Sequence, residues 1–258
     1  MRGWVARAIA LAFAGLSVGG AVGGAPAAAV TKTETIVSEQ RTSLSLRVAP
    51  EVAQSLLPAG WTVSAGPAAP NLSVTFMDRK LALGPDGRLL QSGTNRLLVI
   101  SVGARNQQTG ETRAMIVGGY SADPAGVPGA YKVYGAGSVD VVRSEHIAGM
   151  AVNSVEERWT VKGADGGVLD VSLAFKRGVP TLAPFELRIY SAADPAFYRM
   201  YRGKQASDVL RNPSAGVDRV QSVKVQASGG KLGQILGGDV QVLGVSNAPF
   251  YTRETFLP

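Results

Sequence analysis

The chain has 258 residues, of which 45% are hydrophobic and 17% charged, with 26 basic against 19 acidic side chains, a formal charge of +7 and no cysteine. A chain of this length can bury a core without disulfides, and with His146 as its only histidine it cannot assemble a structural zinc site of the Cys/His type. Its lysines and arginines are scattered rather than interleaved with aromatics in a basic run, which argues against a nucleic-acid partner.

Taken in order, the chain begins with a charged segment carrying Arg2 and Arg7, an apolar stretch from Ala8 to Val22 and the small-residue triplet Ala27-Ala28-Ala29. That order predicts a signal peptide over 1–29, cleaved after Ala29, and a periplasmic or secreted mature protein. The apolar stretch is shorter than the roughly 20 residues a spanning helix needs, and no later segment is longer, so the mature form is expected to have no stable membrane span. Residues 30–258 carry no linker and no fixed repeat, which predicts a single domain.

From Thr31 onward apolar residues recur with period two, the signature of strands with one face buried. Leu44, Leu46 and Val48 alternate with polar neighbours, as do Leu72, Val74 and Phe76, and again Leu169, Val171, Leu173 and Phe175. Residues 96–102 read Arg-Leu-Leu-Val-Ile-Ser-Val, a run suited to a central strand covered on both faces. Further strands are predicted over 113–117, 155–161, 185–190, 220–225, 240–245 and 252–256. Short helices are predicted over 50–57, 194–201 and 231–236, the first two signalled by Pro50 and by Asp194-Pro195. Turns are expected at Pro85-Asp86-Gly87, Thr109-Gly110 and Asp165-Gly166-Gly167. Many short strands and 32 glycines point to a mainly β fold, either a large barrel or two packed sheets.

Few motifs carry chemistry. Gly135-Ala136-Gly137 lacks the third glycine and the acidic residue of a dinucleotide site, and Gly229-Gly230-Lys231 lacks the hydroxyl residue of a P-loop, so both read as turns. No cofactor and no metal is called for. A serine triad would have to recruit His146, which reads as a surface or loop residue. Lysine is then the most plausible covalent catalyst, since an amine buried in an apolar pocket or placed beside another cation loses its proton and can attack a carbonyl. Lys132 stands out, lying between Tyr131 and Tyr134 beside the Pro128-Gly129 corner. Were 131–134 extended, Lys132 would share a face with Tyr134.

The segment Ser45 to Pro58, reading SLRVAPEVAQSLLP, and the closing order of Gly230 to Leu236, Val240 to Val245 and Tyr251 to Leu257 resemble the acetoacetate decarboxylase-like superfamily. The resemblance runs in order over most of residues 30–258. It implies a closed, cone-like antiparallel β-barrel, often assembled into homo-oligomers, with a small oxo-acid held in the barrel and a lysine that forms a Schiff base. Pro128 to Lys132 falls in the region of the family's Gly-x-Pro-Lys sequence, which assigns Lys132 as nucleophile, although the spacing is longer and the second lysine is missing. Asn95-Arg96 resembles the family's Asn-Glu pair with the acid replaced by a base, and Arg41 lies where the family carries a substrate-binding arginine. Arg96, Arg41 and Tyr134 are therefore the expected substrate contacts. Two functions follow: a lyase of decarboxylase, aldolase or dehydratase type working through Lys132, or a non-catalytic binding protein that holds an apolar or amphiphilic small molecule in the same barrel.

Overall fold

The computed structural model describes residues 32–90, 92–126, 128–149 and 154–257, so the predicted signal peptide lies outside the described residues. The chain folds as β1 (Lys32–Arg47), α1 (Pro50–Ser55), β2 (Trp61–Val63), β3 (Leu72–Leu83), β4 (Asn95–Asn106), β5 (Thr112–Ser121), β6 (Tyr134–His146), β7 (Ser154–Gly163), β8 (Val168–Lys176), β9 (Thr181–Ser191), β10 (Tyr198–Asn212), β11 (Val217–Asp218), β12 (Val220–Ser228), α2 (Gly230–Leu236) and β13 (Gln241–Leu257).

Strand pairing closes a ring, because β4 pairs with β3 on one side and with β5 on the other, and the order onward runs β5, β9, β10, β13, β1 and back to β3. A second layer, in the order β6, β7, β8, β12, joins the ring where the start of β6 pairs with the end of β5. Most pairs are antiparallel, as expected of the fold, but β5 runs parallel to both β6 and β9, so the sheet is mixed. The parallel pairs arise because the chain leaves β5 through long connections and returns in the same direction, which a tight hairpin cannot do.

Strands β3 and β4 are covered on both faces, and their alternation divides the core in two. Leu72, Val74 and Phe76 of β3 and Leu98, Ile100 and Val102 of β4 face the second layer, where they meet Trp159, Val161, Leu169, Val171, Leu173 and Phe175. Phe76 stacks on Trp159 with ring centroids 5.0 Å apart. Leu232, Ile235 and Leu236 of α2 complete this core. The opposite parity, Met77 with Leu97 and Val99, faces the inside of the ring with Ile116, Tyr131 and Tyr201. The continuous apolar run over 96–102 is thus a central strand buried on both sides, as its composition predicts.

The Asp165-Gly166-Gly167 turn joins β7 to β8 with Gly166 at φ +80°, and Gly87 and Gly110 take the left-handed conformation in the other two predicted turns. The predicted helix over 194–201 is instead a turn followed by β10. Asp194-Pro195 resembles a helix start, but the residues after it are buried in succession at Arg199, Met200 and Tyr201 and satisfy their backbone by pairing with β9 and β13. The two short strands predicted near the end are one continuous strand, β13, which pairs with β1 and β10 along most of its length.

Phe76→Ala removes a side chain that is fully buried between two layers. It is expected to lower unfolding free energy by about 3–5 kcal/mol in urea titrations, whereas Val142→Ala, at a position 71% exposed, should change it by less than about 0.5 kcal/mol.

Candidate functional site

The ring encloses a chamber of about 80 Å³, room for roughly half a dozen waters or one small organic anion. Its two halves differ in character. Leu97 and Val99 of β4, Ile116 of β5 and Leu187 and Ile189 of β9 form an apolar wall. Opposite them, β1, β3, β10 and β13 supply Arg41, Arg79, Arg199 and Arg253. Strand parity puts them there: Arg79 follows Met77 by two, and Tyr251, Arg253 and Thr255 follow one another by two, so each set shares one face.

Glu39 is the carboxylate at the centre of the basic half. Its Oε1 accepts from Arg41 Nε at 2.6 Å and its Oε2 from Arg79 Nε at 3.0 Å, while Arg253 Nη1 lies 4.0 Å away. Burial by itself would raise this carboxyl, but the Arg41, Arg253 and Arg79 guanidinium groups override burial and hold it down at about 2. Desolvation pushes Arg79 below its ordinary value, with Glu39 opposing. Arg253 is shifted upward: burial acts against its charge, and Glu39, Tyr251 and Tyr201 outweigh it. Three guanidiniums therefore share one carboxylate, leaving a surplus of two positive charges; the fourth, Arg199, is ion-paired with Glu34.

Aromatic faces offset part of that charge. The Arg41 guanidinium lies 3.5 Å from the Tyr251 ring centre, and that of Arg253 lies 4.4 Å from Tyr201. The Tyr131 and Tyr201 hydroxyls hydrogen-bond at 2.7 Å, and burial first, then each other's proximity, keeps the Tyr131 phenol protonated far above its usual range. Arg253 Nε and Thr255 Oγ1 are buried without a hydrogen-bond partner among the described residues. A buried N–H and a buried hydroxyl left this way are costly unless something else in the chamber meets them.

Of the residues expected from sequence, Arg41 and Tyr134 line the chamber, and Arg96 and Lys132 do not. Arg96 sits on the opposite parity of β4 from Leu97 and pairs across to Asp78 at 3.3 Å, facing away from the ring interior. Lys132 is not extended beside Tyr134: it ends a single 3-10 turn over Gly129–Tyr131 in the left-handed conformation, φ 57° and ψ 19°. That turn carries Tyr131 inward and leaves the Lys132 side chain 68% exposed, with its amine 3.8 Å from Asp194. An amine so placed is outside the ring and cannot meet a guest held inside it. His146 is exposed at the end of β6. Glu39, Arg79, Arg199, Arg253, Tyr131, Tyr201 and Tyr251 were not anticipated, though the same-face spacings Arg199-x-Tyr201 and Tyr251-x-Arg253 are visible in the sequence.

The ring, the chamber and the outer layer together define the fold of the acetoacetate decarboxylase-like enzymes. The chain is similar to the enduracididine biosynthesis enzyme MppR complexed with pyruvate, with a TM-score of 0.54 and 13% identity over 90% of this chain and 91% of that one. It is similar also to an acetoacetate decarboxylase-like enzyme from Sphingomonas wittichii RW1 (TM-score 0.51, 11% identity, 90% and 93% of the two chains). A third similar structure is the acetoacetate decarboxylase of Legionella pneumophila (TM-score 0.51, 10% identity, 88% and 85%). No protein-family model matches the sequence, and no curated protein matches it. Among the described residues no group of three or more histidine, aspartate or glutamate side chains could hold a metal ion, and no helix is long and apolar enough to cross a membrane.

Glu39→Gln keeps the shape of the side chain and strands three guanidiniums, so at neutral pH it is expected to cost about 3–5 kcal/mol of unfolding free energy. Because the folded carboxyl sits at about 2 and the free one at 4.5, the stability it contributes is complete above pH 4.5 and is lost as pH falls toward 2. Urea titrations across that window should show the gap between wild type and Glu39→Gln closing as acid is added.

Proposed function

We propose that the chain is an exported receptor for a small organic acid anion, a 2-oxo acid the size of pyruvate, held without a covalent bond in the ring chamber. The observation that carries this reading is the surplus of two buried positive charges around Glu39. Burying like charges costs several kcal/mol per ion unless an opposite charge accompanies them, and a carboxylate accepting from Arg41, Arg79 and Arg253 would supply it. Guanidinium suits the task because its planar fork meets both carboxylate oxygens at once. The apolar wall of Leu97, Val99, Ile116, Leu187 and Ile189 would take a methyl or short alkyl end.

The fold is that of lyase-type enzymes, and a solved neighbour holds pyruvate, which supports the ligand's size and class. Imine chemistry is not part of the proposal, because among the described residues no lysine lines the chamber. Glu39, held at about 2, is too weak a base to take a proton from carbon at neutral pH. The charge of the chamber likewise favours an anion over an uncharged guest, whether apolar or amphiphilic, of the kind considered from sequence. The amino-terminal pattern of Arg2, Arg7 and Ala27-Ala28-Ala29 supports export.

Titration calorimetry with pyruvate, 2-oxobutyrate and acetate, and with uncharged hydroxyacetone as control, tests the reading. The anions should bind and hydroxyacetone should not. Arg253→Met should weaken pyruvate roughly 10- to 100-fold, the scale of one lost charge-assisted contact. Arg96→Ala should leave binding unchanged. Borohydride reduction in the presence of pyruvate should leave the mass of the chain unaltered; an adduct on any lysine, or no binding by any of the acids, would overturn the proposal.

A further inference from the structure

Charge and hydrocarbon occupy opposite sides of the ring chamber because each is carried on contiguous strands. Arg253, Arg41 and Arg79 stand on β13, β1 and β3, which are neighbours in the ring, and the apolar wall stands on β4, β5 and β9, which are neighbours in turn. Register gathers the three arginines around one residue: Glu39 pairs with Arg79 across to β3 and with Tyr251 across to β13, while Arg41 and Arg253 lie two positions further along their strands. Glu39 accepts from Arg41 and Arg79, and Arg253 Nη1, at 4.0 Å, is beyond hydrogen-bond reach of it.

The protein supplies nothing to balance the two charges left over. Among the described residues no aspartate or glutamate lines the cavity, and Glu34 is ion-paired with Arg199. The phenols stay neutral at physiological pH, because burial first of all raises Tyr131, Tyr134 and Tyr251 above their usual range. One carboxylate from a guest neutralises one of the two charges and leaves the other.

We infer that the chamber is matched to a dianion with both charges at one end and a short hydrocarbon group at the other, a malonate-type 1,1-dicarboxylate, and that a monocarboxylate such as pyruvate meets only half of the charge presented. This rests on the receptor reading of the chamber and carries it from one carboxylate to two. Two carboxylates on one carbon give the clustered guanidiniums two planar acceptors on the same side, and the remaining substituent turns to the apolar wall. A diacid with its charges at opposite ends would set one of them against Leu97, Val99 or Ile189, where no donor compensates its loss of water.

Three acids separate the amount of charge from its placement. Methylmalonate and succinate are isomers of equal charge that differ in where the carboxylates sit, and isobutyrate is methylmalonate with one carboxylate exchanged for a methyl. In titration calorimetry at pH 8, in a buffer free of polyvalent anions, methylmalonate should bind on the order of tenfold or more tighter than isobutyrate, pyruvate and succinate, the scale of one added charge-assisted contact. Arg253→Met lowers the surplus to one and should bring methylmalonate to within about threefold of isobutyrate, whereas Arg253→Lys keeps the charge and should keep methylmalonate ahead by about fivefold or more, with circular dichroism showing both variants folded. Wild-type protein that binds pyruvate but holds methylmalonate no tighter than isobutyrate would overturn the dianion and leave the receptor reading standing. Succinate bound as tightly as methylmalonate would overturn the placement of both charges at one end. No binding by any of these acids would remove the receptor reading and this inference with it.

Discussion

Closing a sheet into a ring gives it an inside, and once closed, every second side chain on each ring strand is committed to that inside. Arg41, Arg79, Tyr201, Tyr251 and Arg253 come from β1, β3, β10 and β13, far apart in the chain, yet parity turns all of them toward one cavity of about 80 Å³, with Glu39 buried beside Arg41 and Arg79. Buried beside them, Glu39 is held ionised by the guanidiniums, and Arg41 and Arg253 also lie over tyrosine faces. The chamber is electrostatically incomplete for the same reason that it is well defined.

The two cores divide the work. Between β3, β4 and the second layer the packing is apolar and includes the Phe76 and Trp159 stack, so this region can supply stability without a ligand. Within the ring, burial is shared by hydrocarbon, phenol and guanidinium. A fully satisfied buried carboxylate elsewhere makes the contrast plain. Glu157 accepts from Thr42 at 2.6 Å, Arg143 at 2.8 Å and Trp159 at 3.0 Å, and so ties the ring to the outer layer with nothing left for a guest. Glu39 sits among more cations than it can neutralise.

Likeness of fold and likeness of chemistry part company at the segment from Pro128 to Tyr134. The solved neighbours are described as enzymes, and the resemblance of this segment to the family's Gly-x-Pro-Lys sequence pointed to Lys132. In the folded chain the left-handed turn at Lys132 rotates its side chain to solvent and gives the inward positions to Tyr131 and Tyr134. Phenols held protonated can donate hydrogen bonds to an anion, but they cannot form an imine.

Most of the strands, the short helices α1 and α2, the three glycine turns and the double-sided burial of β4 were legible in the chain itself, because each depends on a local period or on a residue that tolerates positive φ. Strand β10 was not, since its buried positions Arg199, Met200, Tyr201, Asp208 and Leu210 mix charged, phenolic and apolar side chains with no period of two, and a hydropathy pattern cannot register such a strand. The candidate site was legible only at Arg41 and Tyr134. Arg96 and Arg79 look alike in sequence, and it is the register of β3 against β4 and the closure of the ring that send one outward to Asp78 and the other inward to Glu39. Local periodicity determines which residues lie on the same side of a strand; only the tertiary closure decides which of the two sides is sealed from water, and that is where charge acquires a function.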